Sequence, residues 1–273
     1  MTTTNATDLG SLKRVQQQTW ASGDFSVVAT RIQFVAEQLA ESAELRAGSR
    51  VLDVATGSGN AAISAARSGT SVVGVDYVPT LLEDARGRAR AEGLDIEFIE
   101  GDAEALPVET GEFDAVLSVF GSMFAPDHAR AAAEMIRACK PGGTIATASW
   151  APEGFVADMF RVTGGYVSPP AGVASPMLWG SAAHLREIFG DSITRSSSRE
   201  RMCIFRFTTP ETFVAFFRRY YGPTNRAFAR LDDAGQSGLA GDLAQLAREA
   251  DVNRDGGSIA IPSAYLETIA RRA

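Results

Sequence analysis

Three aspartates close apolar runs in the first half of the chain: Asp53 in VLDVATGSGN, Asp76 in VVGVDYVP and Asp102 in FIEGDAEALP. Carboxylates in such places can accept hydrogen bonds from ribose hydroxyls or from an amino group, and they attract cations. Gly57 and Gly59 follow the first aspartate. They let the backbone turn tightly and approach a ligand without a Cβ in the way, and the helix that follows presents free N–H groups. Taken as Gly57-x-Gly59-x-x-Ala62, the stretch fits the dinucleotide fingerprint. Taken with Asp53 it fits another pocket, because a carboxylate in that strand would repel a pyrophosphate and attract an ammonium and a sulfonium.

The elements that position these residues follow a regular alternation. Strands are expected at Arg50–Ala55, Ser71–Asp76, Ile96–Glu100, Phe113–Val119 and Thr144–Trp150, with helices at Asn60–Ser68, Pro79–Glu92 and Asp127–Cys139. Gly69, Gly93 and Pro141-Gly142-Gly143 sit where helices should stop. Short apolar strands alternating with helices indicate a doubly wound α/β sheet, mostly parallel. Its ligand is expected beyond the carboxyl ends of the strands.

Outside this core the rhythm changes. Residues Leu9 to Leu45 carry a helical pattern broken at Gly23-Asp24, after a polar opening expected to fray. Helices are expected at Gly154–Thr163 and Ala182–Phe189, and strands at Ile193–Phe207 and Ala264–Ala270. Between those last two strands, Pro210–Val252 reads as a helical insertion. The expectation is one structural domain: an N-terminal helical segment (1–45) over the site, an α/β core (46–150), and the remaining strands with an inserted substrate cap of about 210–252 (151–273).

Three acids on consecutive strand ends, with PGG before the fifth strand, resemble the class I S-adenosylmethionine-dependent methyltransferases. The likeness is nearest to the small-molecule enzymes grouped with ubiquinone and menaquinone biosynthesis, and it spans roughly Arg50 to Trp150. It implies a seven-stranded Rossmann-like methyltransferase fold with S-adenosylmethionine as methyl donor and S-adenosylhomocysteine as product. By the same resemblance, the loop from Asp53 through Ala55, Thr56 and Gly57 to Gly59 would cradle the methionine portion. Asp76 would hold the ribose and Tyr77 would pack against the adenine. Asp102 and Ala103 would read the adenine edge, and Ser118 would offer its carbonyl to the methionine amine. Ala55 stands where that family commonly has glycine.

Methyl transfer needs a positioned nucleophile and a dry pocket, and a hydroxyl or phenol acceptor calls for a base to take its proton. The chain has two histidines, so His128 and His184 are the candidate bases, with Asp127 behind them. Aromatic and soft side chains outside the core point to an apolar or aromatic acceptor, held by Trp20, Phe25, Phe120, Met123, Phe124, Tyr166, Trp179, Phe217 and Tyr221.

Absences narrow the class. The dehydrogenase reading lacks a Tyr-x-x-x-Lys pair and any Cys/His cluster for zinc. The Asn/Asp-Pro-Pro-Tyr/Phe motif of DNA amino-methyltransferases and the paired glutamates of protein arginine methyltransferases are missing. No acidic cluster suggests a metal. A net charge of −7 disfavours nucleic acid. Cys139 and Cys203 lie far apart and suggest a reducing compartment. With no apolar run of spanning length, a cytoplasmic enzyme is expected, as monomer or homodimer, without membrane insertion. The expected activity is methylation of O, N or C on a small molecule. The alternatives are C-methylation of a quinone or prenylated ring, and a non-catalytic S-adenosylmethionine-binding module.

Overall fold

The computed structural model describes residues 9–170, 172–253 and 256–273. The polar opening expected to fray lies outside the described residues.

The first five strands are β1 (Arg50–Val54), β2 (Ser71–Asp76), β3 (Ile96–Glu100), β4 (Phe113–Val119) and β5 (Cys139–Trp150). β6 (Ile193–Phe207) and β7 (Ile259–Arg272) complete a seven-stranded sheet among the described residues, in the order β3-β2-β1-β4-β5-β7-β6. The runs that form β1, β2 and β4 are apolar on both faces because helices cover both faces, and Val51, Leu52, Val54, Val116 and Leu117 are fully buried. Pairing from β3 to β5 is parallel, while β7 runs antiparallel to both β5 and β6.

Ten α-helices accompany the sheet among the described residues. On the core, α1 (Leu9–Trp20) and α2 (Phe25–Ser42) precede β1, α3 (Asn60–Ala66) and α4 (Pro79–Ala91) flank β2, and α5 (His128–Ala138) leads into β5. The later part holds α6 (Phe155–Tyr166), α7 (Ala182–Phe189), α8 (Pro210–Tyr220), α9 (Gly222–Ala229) and α10 (Asp233–Glu249). The expected insertion between the last two strands is thus three helices, α8 to α10. Among the described residues, no helix is long and apolar enough to cross a membrane.

Two strand starts differ from expectation. β5 begins at Cys139, ahead of the Pro-Gly-Gly turn. β7 starts at Ile259 instead of Ala264, and its early part includes Pro262. That part pairs with β6 on one side, while β5 pairs only from Tyr265 onward. A proline, which has no N–H to donate, is tolerated on such an open edge.

The register places the ends of the parallel strands side by side: Val54 opposite Val75, and Asp76 opposite Glu100. β1 lies between β2 and β4, so the chain reverses its direction of winding there. A crevice opens at that switch point, beyond the carboxyl ends of the strands.

Candidate active site

The crevice is a cleft of about 870 Å³, open solvent at its mouth included. Its floor is the turn after β1. Ala55 takes a left-handed conformation (φ +54°), and Gly59, also left-handed at φ +88°, opens α3. A Cβ on Gly59 would lie 3.2 Å from the Ala85 Cβ, so the turn packs directly on α4. Across the cleft, Gly121 approaches Ala55 so closely that a Cβ there would sit 2.4 Å from the Ala55 carbonyl oxygen.

Carboxylates hold this turn. Asp53 is buried beneath it, and one of its oxygens accepts from the Thr56 hydroxyl at 2.6 Å and the Ala62 N–H at 2.8 Å. Asp76 accepts the Gly57 N–H on Oδ2 at 2.8 Å and the Val78 N–H on Oδ1 at 2.9 Å. Burial pushes Asp53 up to about 7 and Asp76 up to about 6, with these hydrogen bonds opposing the shift. The Ala62 and Gly57 N–H groups that a phosphate would use at this helix start are therefore already committed to protein carboxylates.

Asp76, Tyr77, Asp102 and Ala103 line the cleft together with Ala55, Thr56 and Gly57. Asp53, Gly59 and Ser118 lie behind the wall. Asp53 turns its carboxylate into the loop, a correction to the expectation that it faces a cation directly. Ser118 donates to the Val54 carbonyl oxygen at 2.9 Å and accepts from the Ser122 N–H at 3.0 Å, while its neighbour Val119 reaches the lining.

α1 lies across the cleft. The Lys13 ammonium bridges Asp102 Oδ2 at 2.6 Å and Glu104 Oε2 at 2.5 Å. Gln16 donates to the Phe124 carbonyl at 3.2 Å, and Gln17 donates to the Tyr77 carbonyl. Sequence reasoning missed Lys13 and Gln16. An amphipathic N-terminal helix gave no sign of what its polar face would meet.

A second chamber, about 450 Å³ with open solvent included, adjoins the cleft, and the two share Trp20, Phe25, Ile32, Phe120 and Phe124 as lining. Phe120, left-handed at φ +53° just after β4, stacks on Trp150 at the end of β5, with centroids 3.9 Å apart and planes at 6°. Trp20 meets Phe25, Phe124 and Tyr221 edge-on, which ties α1 to the start of α9. The Asp24 N–H donates to the Tyr220 carbonyl at 3.0 Å and fastens the same junction.

Of the expected acceptor residues, Trp20, Phe25, Phe120, Phe124, Phe217 and Tyr221 line this chamber. Met123, Tyr166 and Trp179 do not, and are corrected here. Met123 is buried in the core beneath the cleft. Tyr166 spends its hydroxyl on Asp242 at 2.7 Å, joining α6 to α10. Trp179 packs edge-on against His128 and Phe189. Sequence reasoning missed Ile32, Trp150, Phe155, Val156 and Phe205. Trp150, as the last residue of a central strand, was the one with a usable signal.

The two histidines meet each other instead of the cleft: His128 Nδ1 lies 3.0 Å from His184 Nε2. Burial, then the neighbouring His184, pushes His128 down to about 4, so it stays neutral. Neither lines the cleft or the chamber, which corrects their expected role as bases. Asp127 caps α5 by accepting the Arg130 N–H at 2.9 Å.

A family model described as a methyltransferase domain matches residues 51–143. An uncharacterized protein of Mycobacterium tuberculosis is 38% identical over 238 residues, which cover 85% of this chain and 87% of that protein. A demethylmenaquinone methyltransferase of Thermus thermophilus is 37% identical over 142 residues, 47% of this chain and 64% of its own. Among solved structures, the YcgJ protein from Bacillus subtilis aligns with a TM-score of 0.59 at 19% identity, covering 87% of this chain and 97% of that one. At that identity the likeness is one of fold.

Proposed function

We propose, for a chain that belongs to the class I S-adenosylmethionine-dependent methyltransferases, that the methyl group goes to a small apolar or aromatic acceptor held in the chamber beside Phe120. The observation that carries this reading is the wall shared by an acid-bearing cleft and a chamber lined without a charge.

The residues of the cleft fit the methyl donor. Asp102 already takes an amino group, the Lys13 ammonium, at the position proposed for the adenine amine. The committed N–H groups of the glycine turn, together with Asp76 on the cleft wall, suit a sulfonium and an ammonium and oppose a pyrophosphate. In this reading Asp76 holds the ribose, Tyr77 packs on the adenine, and Asp102 with the Ala103 N–H reads its edge. The turn from Asp53 to Gly59 cradles the methionine end. When bound, S-adenosylmethionine supplies a methyl carbon open to in-line attack, and its leaving thioether needs no proton.

The chain's own contribution is position and dryness. Phe120 and Phe124 hold the acceptor against the cleft, and Trp20 with α1 roofs the junction and keeps water out. No carboxylate or histidine lines the chamber. The protein therefore acts by orienting and desolvating the acceptor, and α8 to α10 serve as its cap.

The partial match to a demethylmenaquinone methyltransferase favours one second reading, methylation of a ring carbon. Incubation with S-adenosylmethionine and a panel of apolar ring acceptors tests both. Release of S-adenosylhomocysteine above background with a neutral ring acceptor supports the proposal, and mass and NMR analysis of the product assigns the atom. Turnover restricted to charged, non-aromatic acceptors contradicts it.

A further inference from the structure

None of the side chains lining the acceptor chamber is charged, and three carry a polar hydrogen: Trp20, Trp150 and Tyr221. The indoles can only donate, whereas a phenol can both donate and accept. Tyr221 sits where α8 meets α9 and is 7% exposed. Its backbone is paired, the N–H to Phe217 and the carbonyl to the Asn225 N–H, and its ring leans on Trp20 and Phe217.

Its hydroxyl has no hydrogen-bond partner among the described residues. Two other tyrosines differ, Tyr265 donating to Gln38 Oε1 at 2.8 Å and Tyr166 to Asp242, while Tyr77 and Tyr220 resemble Tyr221 in this but lie outside the chamber lining. The Tyr221 hydroxyl is not one of the buried polar atoms left without a partner among the described residues, so its oxygen keeps accessible surface on an otherwise buried side chain that lines the chamber. The hydroxyl is therefore placed for something that enters the chamber.

We propose that the Tyr221 hydroxyl is the specificity-determining contact of the acceptor chamber, holding the oxygen of an uncharged ring substrate that bears a hydroxyl or carbonyl group. The substrate class follows from the walls. A carboxylate, phosphate or ammonium would be desolvated there without a counter-charge, while a neutral oxygen finds a phenol and indole donors. Burial raises the Tyr221 phenol well above the usual tyrosine range, so it remains protonated and able to donate at neutral pH. The inference rests on the chamber being the acceptor site.

The test is calorimetric binding of 2-naphthol and of naphthalene to the whole protein, with S-adenosylhomocysteine saturating the cleft, for wild type, Tyr221→Phe and Trp20→Phe. Wild type should prefer 2-naphthol by about tenfold, as expected for one net hydrogen bond. Tyr221→Phe should abolish that preference while leaving naphthalene and S-adenosylhomocysteine binding unchanged. Trp20→Phe should retain the preference. If Tyr221→Phe keeps the preference, the assignment of Tyr221 is overturned although the chamber stands. If S-adenosylhomocysteine binds but neither ring probe does, the chamber is not the acceptor site. If S-adenosylhomocysteine does not bind, the proposed function fails and this inference fails with it.

Discussion

Asp76 Oδ2 accepts the Gly57 N–H at 2.8 Å, so the carboxylate that ends β2 also fixes the turn that follows β1. One side chain thus sets the ribose position and the shape of the floor beside it. The same burial that makes this bond strong keeps part of the acid protonated near neutrality.

This gives a pH prediction with two opposite signs. Burial raises Asp53 to about 7 and Asp76 to about 6. The unfolded chain loses these protons first, so the stability linked to the two groups is fully present near pH 4 and is lost as pH rises through 6 to 7. Ligand binding runs the other way, because ribose hydroxyls and a sulfonium favour the ionised acids. Calorimetry should show S-adenosylmethionine binding about tenfold tighter at pH 7.5 than at pH 5.5, with a weaker dependence for uncharged-sulfur S-adenosylhomocysteine. Affinity that is flat or falls over this range contradicts the assignment.

Arg88 acts on the same turn from outside the cleft. Its guanidinium donates to the Ser58 carbonyl at 2.6 Å, to Asn60 Oδ1 at 2.7 Å and to Gln33 Oε1 at 2.8 Å, clamping α4, the turn and α2. Arg88→Met leaves these acceptors without their donor and should cost about 2–3 kcal/mol, a fall of about 5–10 °C in Tm. S-adenosylhomocysteine affinity should drop about tenfold. Arg88→Lys should restore little, since an ammonium cannot span the three acceptors. Full recovery in that variant would count against the clamp.

The histidine pair should prove dispensable to chemistry. His184→Gln removes the 3.0 Å contact to His128. It should leave kcat, and the affinity for S-adenosylhomocysteine, within about twofold of wild type, with Tm lower by about 2–4 °C per kcal/mol lost. A tenfold loss of kcat at unchanged Tm would return a general base to consideration.

Ala55 marks a strained point in the floor. At φ +54° a non-glycine residue costs about 1 kcal/mol. Ala55→Gly should therefore raise Tm by about 2–3 °C. Ala55→Val should lower it by more, because a branched Cβ fits that conformation worst. A melting series reads both, and a drop in the glycine variant would show that the methyl contact with Gly121 outweighs the strain.

What the sequence disclosed follows from how far each signal reaches along the chain. The strands of the core were legible because burial on both faces writes unbroken apolar runs, and Asp76 and Asp102 were legible because an acid closing such a run is a local pattern. The direction of Asp53 was not, since it depends on Thr56 and Ala62 folding back over it. Lys13 reaches Asp102 across 89 residues, a contact no local pattern records. Aromatic content told that a chamber existed near α8, and Phe217 and Tyr221 are in it. Tyr166 and Trp179 carry the same signal yet pack elsewhere, because residue type does not encode which neighbour a ring faces.

The central claim is that the acid-bearing cleft holds S-adenosylmethionine. Calorimetric titration with S-adenosylmethionine, S-adenosylhomocysteine and NAD tests it most directly, on wild type and Asp76→Ala. Micromolar binding of the first two, weakened about 100-fold in the variant by loss of charged hydrogen bonds, is the predicted result. Binding of NAD alone, or affinity for S-adenosylhomocysteine that survives Asp76→Ala, would contradict it.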